Sequence, residues 1–461
     1  MPLLSAYIVP HPPLIVPAIG KGEESKIAKT VESYEEVARR IGRLRPDTIV
    51  LVSPHSILYA DYFHLSPGAG AEGDFGQFRA PGERFSVKYD QTLSAAIAAA
   101  AGRAGIPAGG LGEKNRRLDH GTMVPLHFVN RQDQDYELVR ISVSGLPPLV
   151  HYRFGKCLAE AILNSGKRVV LIASGDLSHK LKSDGPYGYA TEGPAFDRSI
   201  TEAMASADFG RFLMFDEDFC EAAGECGLRS FTIMAGALDG LRIKSELLSY
   251  EGPFGVGYAV AAYDVLGEDG SRRFDLSYER GRSEQLAERR ENEDAHVRLA
   301  RETLEHYVMH RRRIARPAGL SAELTDRRAG VFVSLKLDGR LRGCIGTIAA
   351  TTGCVADEII QNAVSAGTRD PRFEPVRADE LARLVYSVDV LGDAEPVGSV
   401  AGLDPKRYGV IVRKGIKSGL LLPNLEGVDS VEDQVSIALQ KGGIDPEESY
   451  AIERFEVVRH H

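Results

Sequence analysis

Five short segments, far apart in the chain, carry residues suited to holding or serving a metal ion. They are Val9-Pro-His-Pro-Pro13, Ser53-Pro-His-Ser56, Asp119-His-Gly121, Ser174-Gly-Asp-Leu-Ser-His179 and Gly224-Glu-Cys-Gly227. Two histidines and one carboxylate bind a divalent iron on one face and leave the opposite positions free for substrate and oxygen. An enzyme is therefore the first expectation. Pro10, Pro12 and Pro13 restrict the backbone around His11 and remove local donors, which favours a fixed, irregular loop. His55 repeats the design with Pro54 before it. Glu225 stands just before an apolar helical stretch, where a carboxylate either serves the helix dipole or binds an ion. Cys226 is the rival ligand, and a thiolate there would favour zinc or copper.

These residues need a scaffold that gathers distant loops. Strand-like runs at 4–9, 48–53, 137–143 and 168–174 alternate with helical stretches at 25–42, 91–101 and 152–164. The alternation predicts an α/β domain with a central sheet flanked by helices. In such sheets ligands bind beyond the carboxyl ends of strands. His11, His55 and His179 each lie just after such a run. His64, His151, His296, His306, His310, His460 and His461 read as ordinary surface or hydrogen-bonded core residues.

A length of 461 residues exceeds one ordinary core, so two domains are expected. The apolar run 257–266 reads as the last buried strand of a domain spanning 1–266. Residues 267–284 are polar and read as a solvated linker, and a second domain follows over 285–461. A net charge of −9 argues against a broad nucleic-acid-binding face. No apolar run approaches the roughly 20 residues of a membrane span, and the start shows no leader pattern, so a cytoplasmic protein is expected. Five cysteines without a CxxC pair suggest neither a disulfide framework nor a structural zinc site.

The five motifs, in this order over about residues 3–265, resemble the class III extradiol ring-cleavage dioxygenases (the LigB-like family), whose relatives include the Memo-like proteins. That resemblance implies Fe(II) held by His11, His55 and Glu225, with zinc or copper as alternatives if Cys226 is the ligand. It also implies His179 as acid/base at the open face and His120 as a substrate or supporting residue. An imidazole near its ordinary pKa of about 6.5 can take a proton from a substrate hydroxyl and return one. Asp176 or Ser178 either orients His179 or tightens its turn. The implied activity is oxidative opening of a catechol-like aromatic ring. The alternative is a Memo-like metal-binding or scaffold protein without ring cleavage, and metal-assisted hydrolysis would need only a bound water and a base.

The second domain resembles the AMMECR1 family through 331–347, Asp370-Pro-Arg-Phe-Glu-Pro-Val376 and the strand-like run 385–391. Runs 331–337 and 341–345 flank Asp338-Gly339, a hairpin signal. With strands at 408–413 and 418–422 and helices near 354–366 and 431–440, a smaller α+β domain is expected. Cys344, between Gly343 and Gly346, is either a nucleophile or ligand contact, or a small buried thiol. Arg342, Arg369 and Arg372 form either an anion-binding cluster or local ion pairs. Fusions of this kind resemble the first component of systems that also include a radical SAM enzyme, and this chain lacks the clustered cysteines such an enzyme needs. Expected partners are thus a small aromatic substrate, dioxygen, a radical SAM protein and other copies in a homo-oligomer, with no nucleic acid and no membrane.

Overall fold

The structure, a computed structural model, describes residues 2–114, 117–132, 134–425 and 427–461. The chain divides into two compact units, Met1–Arg280 and Gly281–His461.

The first unit is built on six strands: β1 Leu3–Val9, β2 Thr48–Ser53, β3 Glu137–Ser142, β4 Val169–Ser174, β5 Leu241–Glu251 and β6 Tyr258–Glu268. They lie in the order β3-β2-β4-β1-β6-β5. The pairings among β1 to β4 are parallel, while β6 runs antiparallel to both β1 and β5. Every residue of β2 and β4 is buried, which explains runs that are apolar throughout. Alternate residues feed two cores, with Ala6, Ile8, Val50 and Leu171 in one and Tyr7, Val9, Leu51 and Ile172 in the other. This is the period of two that a sheet buried on both faces requires.

Helices α1 Ala28–Leu44, α2 Gln91–Arg103, α3 His120–Val129, α4 Pro148–Ser165, α5 Glu192–Ser206 and α6 Leu228–Ala237 cover the sheet. Tyr34 and Val37 of α1 and Val124 of α3 pack into one core. Ile97, Leu158, Phe196 and Phe231, from the other four helices, pack into the second. α4 and α6 approach so closely that a Cβ on Gly155 would lie 2.0 Å from the Ile233 carbonyl oxygen, and one on Gly236 would lie 1.9 Å from that of Tyr152.

Residues 267–284, expected as a solvated linker, carry regular structure. β6 extends to Glu268, and a helix, α7 Phe274–Asn292, occupies much of 267–284. Phe274 and Tyr278, one turn apart, pack against the first unit's core, and buried Asp275 pairs with Lys156 Nζ at 2.7 Å. The rest of α7 is largely charged, so it carries no apolar periodicity to announce a helix.

In the second unit, β7 Val331–Leu337 and β8 Arg340–Gly346 form a hairpin closed by Asp338 and Gly339, with φ of 54° and 86°. Two consecutive left-handed residues match the twist of the flanking strands, as an Asp-Gly pair favours. β9 Leu384–Leu391, β10 Gly409–Lys414, β11 Lys417–Leu421, β12 Ala451–Phe455 and β13 Val457–His460 complete it. One sheet has the order β8-β7-β9-β13, and a second joins β12, β10 and β11 with the short strand Glu395–Pro396. Helices α8 Ala295–His310, α9 Val355–Thr368 and α10 Val431–Gly442 accompany them. Leu299, Leu304, Leu335, Ile359 and Val388 share one apolar core, and the unit is α+β. Among the described residues no helix is long and apolar enough to cross a membrane.

Candidate metal centre

β2, β4 and β1 are neighbours, so their carboxyl ends deliver three loops to one edge of the sheet. His55 follows β2, the segment from Ser174 to His179 follows β4, and His11 follows β1. His120 joins them as the first residue of α3, and Cys226 comes from the turn before α6.

The Nε2 atoms of His11 and His55 lie 2.9 Å apart, and Cys226 Sγ is 3.5 Å from His11 Nε2. Nitrogens each about 2.1 Å from one ion stand roughly 3–3.5 Å apart, so the spacing suits a shared ligand sphere. One ligating atom from each of His11, His55 and Cys226 falls within 4.8 Å of the others. The His120 ring sits 4.2 Å from that of His55 and 5.3 Å from that of His11. His11 is buried, Cys226 is half-buried and His55 opens to solvent.

The His11 ring and the His55 backbone are held from behind. His11 Nδ1 meets Ser174 Oγ at 2.9 Å, and the His11 amide donates to Asp176 Oδ1 at 2.7 Å. With Nδ1–H donating to the serine, the Nε2 lone pair is free for an ion. Tyr34 donates its hydroxyl hydrogen to the Pro10 carbonyl and fixes the same loop. On the other side, Ser53 Oγ accepts from the His55 amide at 3.2 Å and donates to Asp119 Oδ1 at 2.6 Å. Asp119 also caps α3 by accepting from the Thr122 amide at 3.0 Å, and its Oδ2 lies 3.6 Å from Nη1 of buried Arg140. One carboxylate thereby positions both His55 and the helix that begins with His120.

Glu225, expected as the third ligand, does not join this cluster. Its Oε2 accepts from the Leu228 amide at 2.7 Å in the first turn of α6, and the sulfur of Cys226 faces His11 instead. The reason is a close backbone approach: a Cβ on Gly175 would lie 2.2 Å from Gly227 Cα. Two glycines let the loops touch, and Cys226 then packs on Asp176, whose amide is 3.4 Å from Sγ. Asp176 accordingly serves His11, with Oδ2 at 3.9 Å from its Nε2. The turn carrying His179 is secured by Ser178, whose amide donates to Asp197 Oδ1 at 2.8 Å and whose hydroxyl donates to the Ala223 carbonyl at 2.7 Å. His179 itself is half-buried, with the Tyr187 ring 5.2 Å away.

Burial shapes the charges. Desolvation, reinforced by His55, His120 and His179, holds His11 well below the usual imidazole range. Crowding by the cluster, through desolvation and then His120, lowers His55, and desolvation also lowers His120 and His179. Neutral imidazoles are the form that binds metals. Desolvation raises Asp176 and Glu225 to about 7, and it raises the Cys226 thiol far above its ordinary value with help from both carboxylates. A bound cation reverses that last effect, because a coordinating thiol loses its proton. The donor set fits a divalent transition ion, and two nitrogens with a sulfur extend the range from iron to zinc and copper.

In the second unit Cys344 and Arg342 are half-buried and each is engaged by neighbours. The Cys344 amide donates to Asp370 Oδ2 at 2.9 Å, Ser334 Oγ is 3.2 Å from its sulfur, and burial pushes the thiol up. Arg342 is held bidentately by Glu380 at 2.8 and 3.1 Å, and Arg372 pairs with Asp370 at 2.7 Å. Sequence reasoning missed Ser53 and Ser174, although each is the last residue of its strand and so stands at the site edge. It also passed over His296 and His460, which the fold brings together with Asp294.

Residues 5–261 match the family described as the catalytic LigB subunit of aromatic ring-opening dioxygenase, and residues 297–460 match AMMECR1. A Clostridium acetobutylicum relative, Protein CA_C1420, is 43% identical over 468 residues, covering 100% of this chain and 99% of its own length. The 2-aminophenol 1,6-dioxygenase beta subunit of a Pseudomonas species is 27% identical over 294 residues, covering 57% of this chain and 94% of its own. The crystal structure of the uncharacterized Pyrococcus horikoshii protein PH0010 is 32% identical with a TM-score of 0.34, covering 36% of this chain and 88% of that one. The chain belongs to the LigB family of aromatic ring-opening dioxygenase catalytic subunits through its first unit, and it carries an AMMECR1 domain as its second.

Proposed function

We propose that the first unit is a metal-dependent oxygenase that opens a catechol- or aminophenol-like ring, with Fe(II) held by His11, His55 and a third donor from the 224–227 turn. The observation that carries this reading is the pair of Nε2 atoms 2.9 Å apart, with Ser174 behind the His11 ring, Ser53 holding the His55 backbone, and a solvent-open face beside them. The relative named as a 2-aminophenol 1,6-dioxygenase subunit supports a substrate with adjacent hydroxyl or amino groups on an aromatic ring. Bound iron would supply the place where such a substrate and dioxygen exchange electrons.

The chain's own residues do the rest. His179, kept neutral by desolvation, accepts the proton of a substrate hydroxyl and returns it later. His120, whose ring contacts those of His55 at 4.2 Å and Phe78 at 5.7 Å, hydrogen-bonds the substrate's second polar group in this reading. Phe78 and Tyr187 offer aromatic faces for a planar ring. The homo-oligomer and the cytoplasmic location belong to the same proposal.

Cys226 favours a second reading. A sulfur 3.5 Å from His11 Nε2 suits zinc or copper, in a Memo-like metal-binding protein without ring cleavage whose second unit recognises a radical SAM partner. Anaerobic reconstitution with Fe(II), followed by oxygen-uptake traces with catechols and 2-aminophenol, separates the two. Uptake that depends on substrate and disappears in both His55→Ala and His179→Ala supports the oxygenase. Metal binding with no uptake on any substrate favours the second reading.

A further inference from the structure

A second cluster of metal-ligating side chains lies in the second unit, outside the ring-opening site. Asp294 caps α8, its Oδ1 accepting from the His296 and Val297 amides at 2.9 and 3.0 Å. Its other oxygen, Oδ2, is hydrogen-bonded to Nδ1 of His460 on β13, 166 residues away in sequence. His296 Nδ1 is 3.7 Å from Asp294 Oδ1, and the rings of His296 and His460 lie 3.7 Å apart at 20°. One ligating atom from each residue falls within 4.8 Å of the other two.

Burial adds an independent observation. The His296 side chain is only 6% exposed and that of His460 12%, and the Nε2 atom of each is buried without a hydrogen-bond partner among the described residues. Asp294 meets both rings at Nδ1, so those two nitrogens are the ones positioned to share an ion with its carboxylate. Asp294 remains 41% exposed, which gives an ion a way in.

We propose that Asp294, His296 and His460 form a second divalent-metal site, of the zinc class. Two imidazole nitrogens and one carboxylate oxygen are a donor set for Zn(II) and its neighbours Co(II) and Ni(II), and three protein donors leave one position for water. An ion there ties β13 to the first turn of α8. It binds the folded chain and not the unfolded one, so it stabilises the fold of this unit.

The test uses the full-length, untagged chain with His11→Ala, which removes the first unit's site and makes the result independent of the ring-opening reading. After chelator treatment, Co(II) alone is titrated and followed by its visible absorption, and Zn(II) is added in thermal unfolding. The expected result is one equivalent of Co(II) and a rise in Tm of roughly 5–10 °C at Zn(II) about a hundredfold above its Kd. His460→Gln and Asp294→Asn, the latter retaining the cap acceptor, should each weaken Co(II) binding at least tenfold, while His461→Ala should not. No bound equivalent and no Tm shift in the His11→Ala chain would overturn the proposal without recourse to the other variants. Unchanged affinity in either ligand variant would overturn it as well.

Discussion

His11 is fixed on both sides, by Ser174 at Nδ1 and by Asp176 at its amide. Ser174→Ala should therefore leave the fold intact and lower metal affinity about 10–100-fold, measured by competition with a chelator. Unchanged affinity would show that the tautomer needs no serine. Asp119→Ala removes the carboxylate that caps α3 and lies 3.6 Å from Arg140, so a stability loss of about 1–2 kcal/mol is expected in denaturant unfolding. Asp197 offers a pH test, because desolvation pushes its carboxyl up to about 6 against hydrogen bonds from Tyr250 and the Ser178 amide. Its folded pKa exceeds the unfolded value, so the folded state binds more protons and stability falls as pH rises from about 4 to about 6. Asp197→Asn keeps the acceptor for Ser178 and should remove on the order of 2–3 kcal/mol of that dependence. A wild-type-minus-variant difference that is flat over this range would contradict the assignment. The histidines of the first site were legible because each sits at a strand end beside proline or at a motif edge. The choice between Glu225 and Cys226 was not, since it depends on how two glycines pack across 52 residues of sequence.

At the scale of elements, the parallel strands were readable to within a residue because burial on both faces leaves a continuous apolar run. α7 was not, because only Phe274 and Tyr278 of its charged surface pack against the core. The α8 to β13 cluster was equally hidden, since nothing local links Asp294 to a histidine 166 residues on. The closeness of α4 and α6 leads to a further expectation. Gly236→Ala places a methyl 1.9 Å from the Tyr152 carbonyl oxygen, which only a shift of the helices can relieve. A loss of at least about 1–3 kcal/mol should appear in chemical denaturation, together with weaker metal binding, because α6 carries the Cys226 turn. A neutral effect on both would mean that this interface does not set the site.

The molecule as a whole comprises two units with separate apolar cores. Calorimetry in chelator should resolve two transitions, and Leu304→Ala, a fully buried change in the second core, should lower one of them by the equivalent of about 2–5 kcal/mol. Equal shifts in both would show that the cores unfold together. The central claim concerns the first unit, and labelled dioxygen tests it most directly. Fe(II)-loaded chain is given 2-aminophenol or a catechol under isotopically labelled oxygen, and the products are analysed by mass. The account predicts a ring-opened product carrying both labelled atoms, formed by the wild type and absent with His55→Ala. Intact substrate with iron bound at His11 and His55 would contradict it.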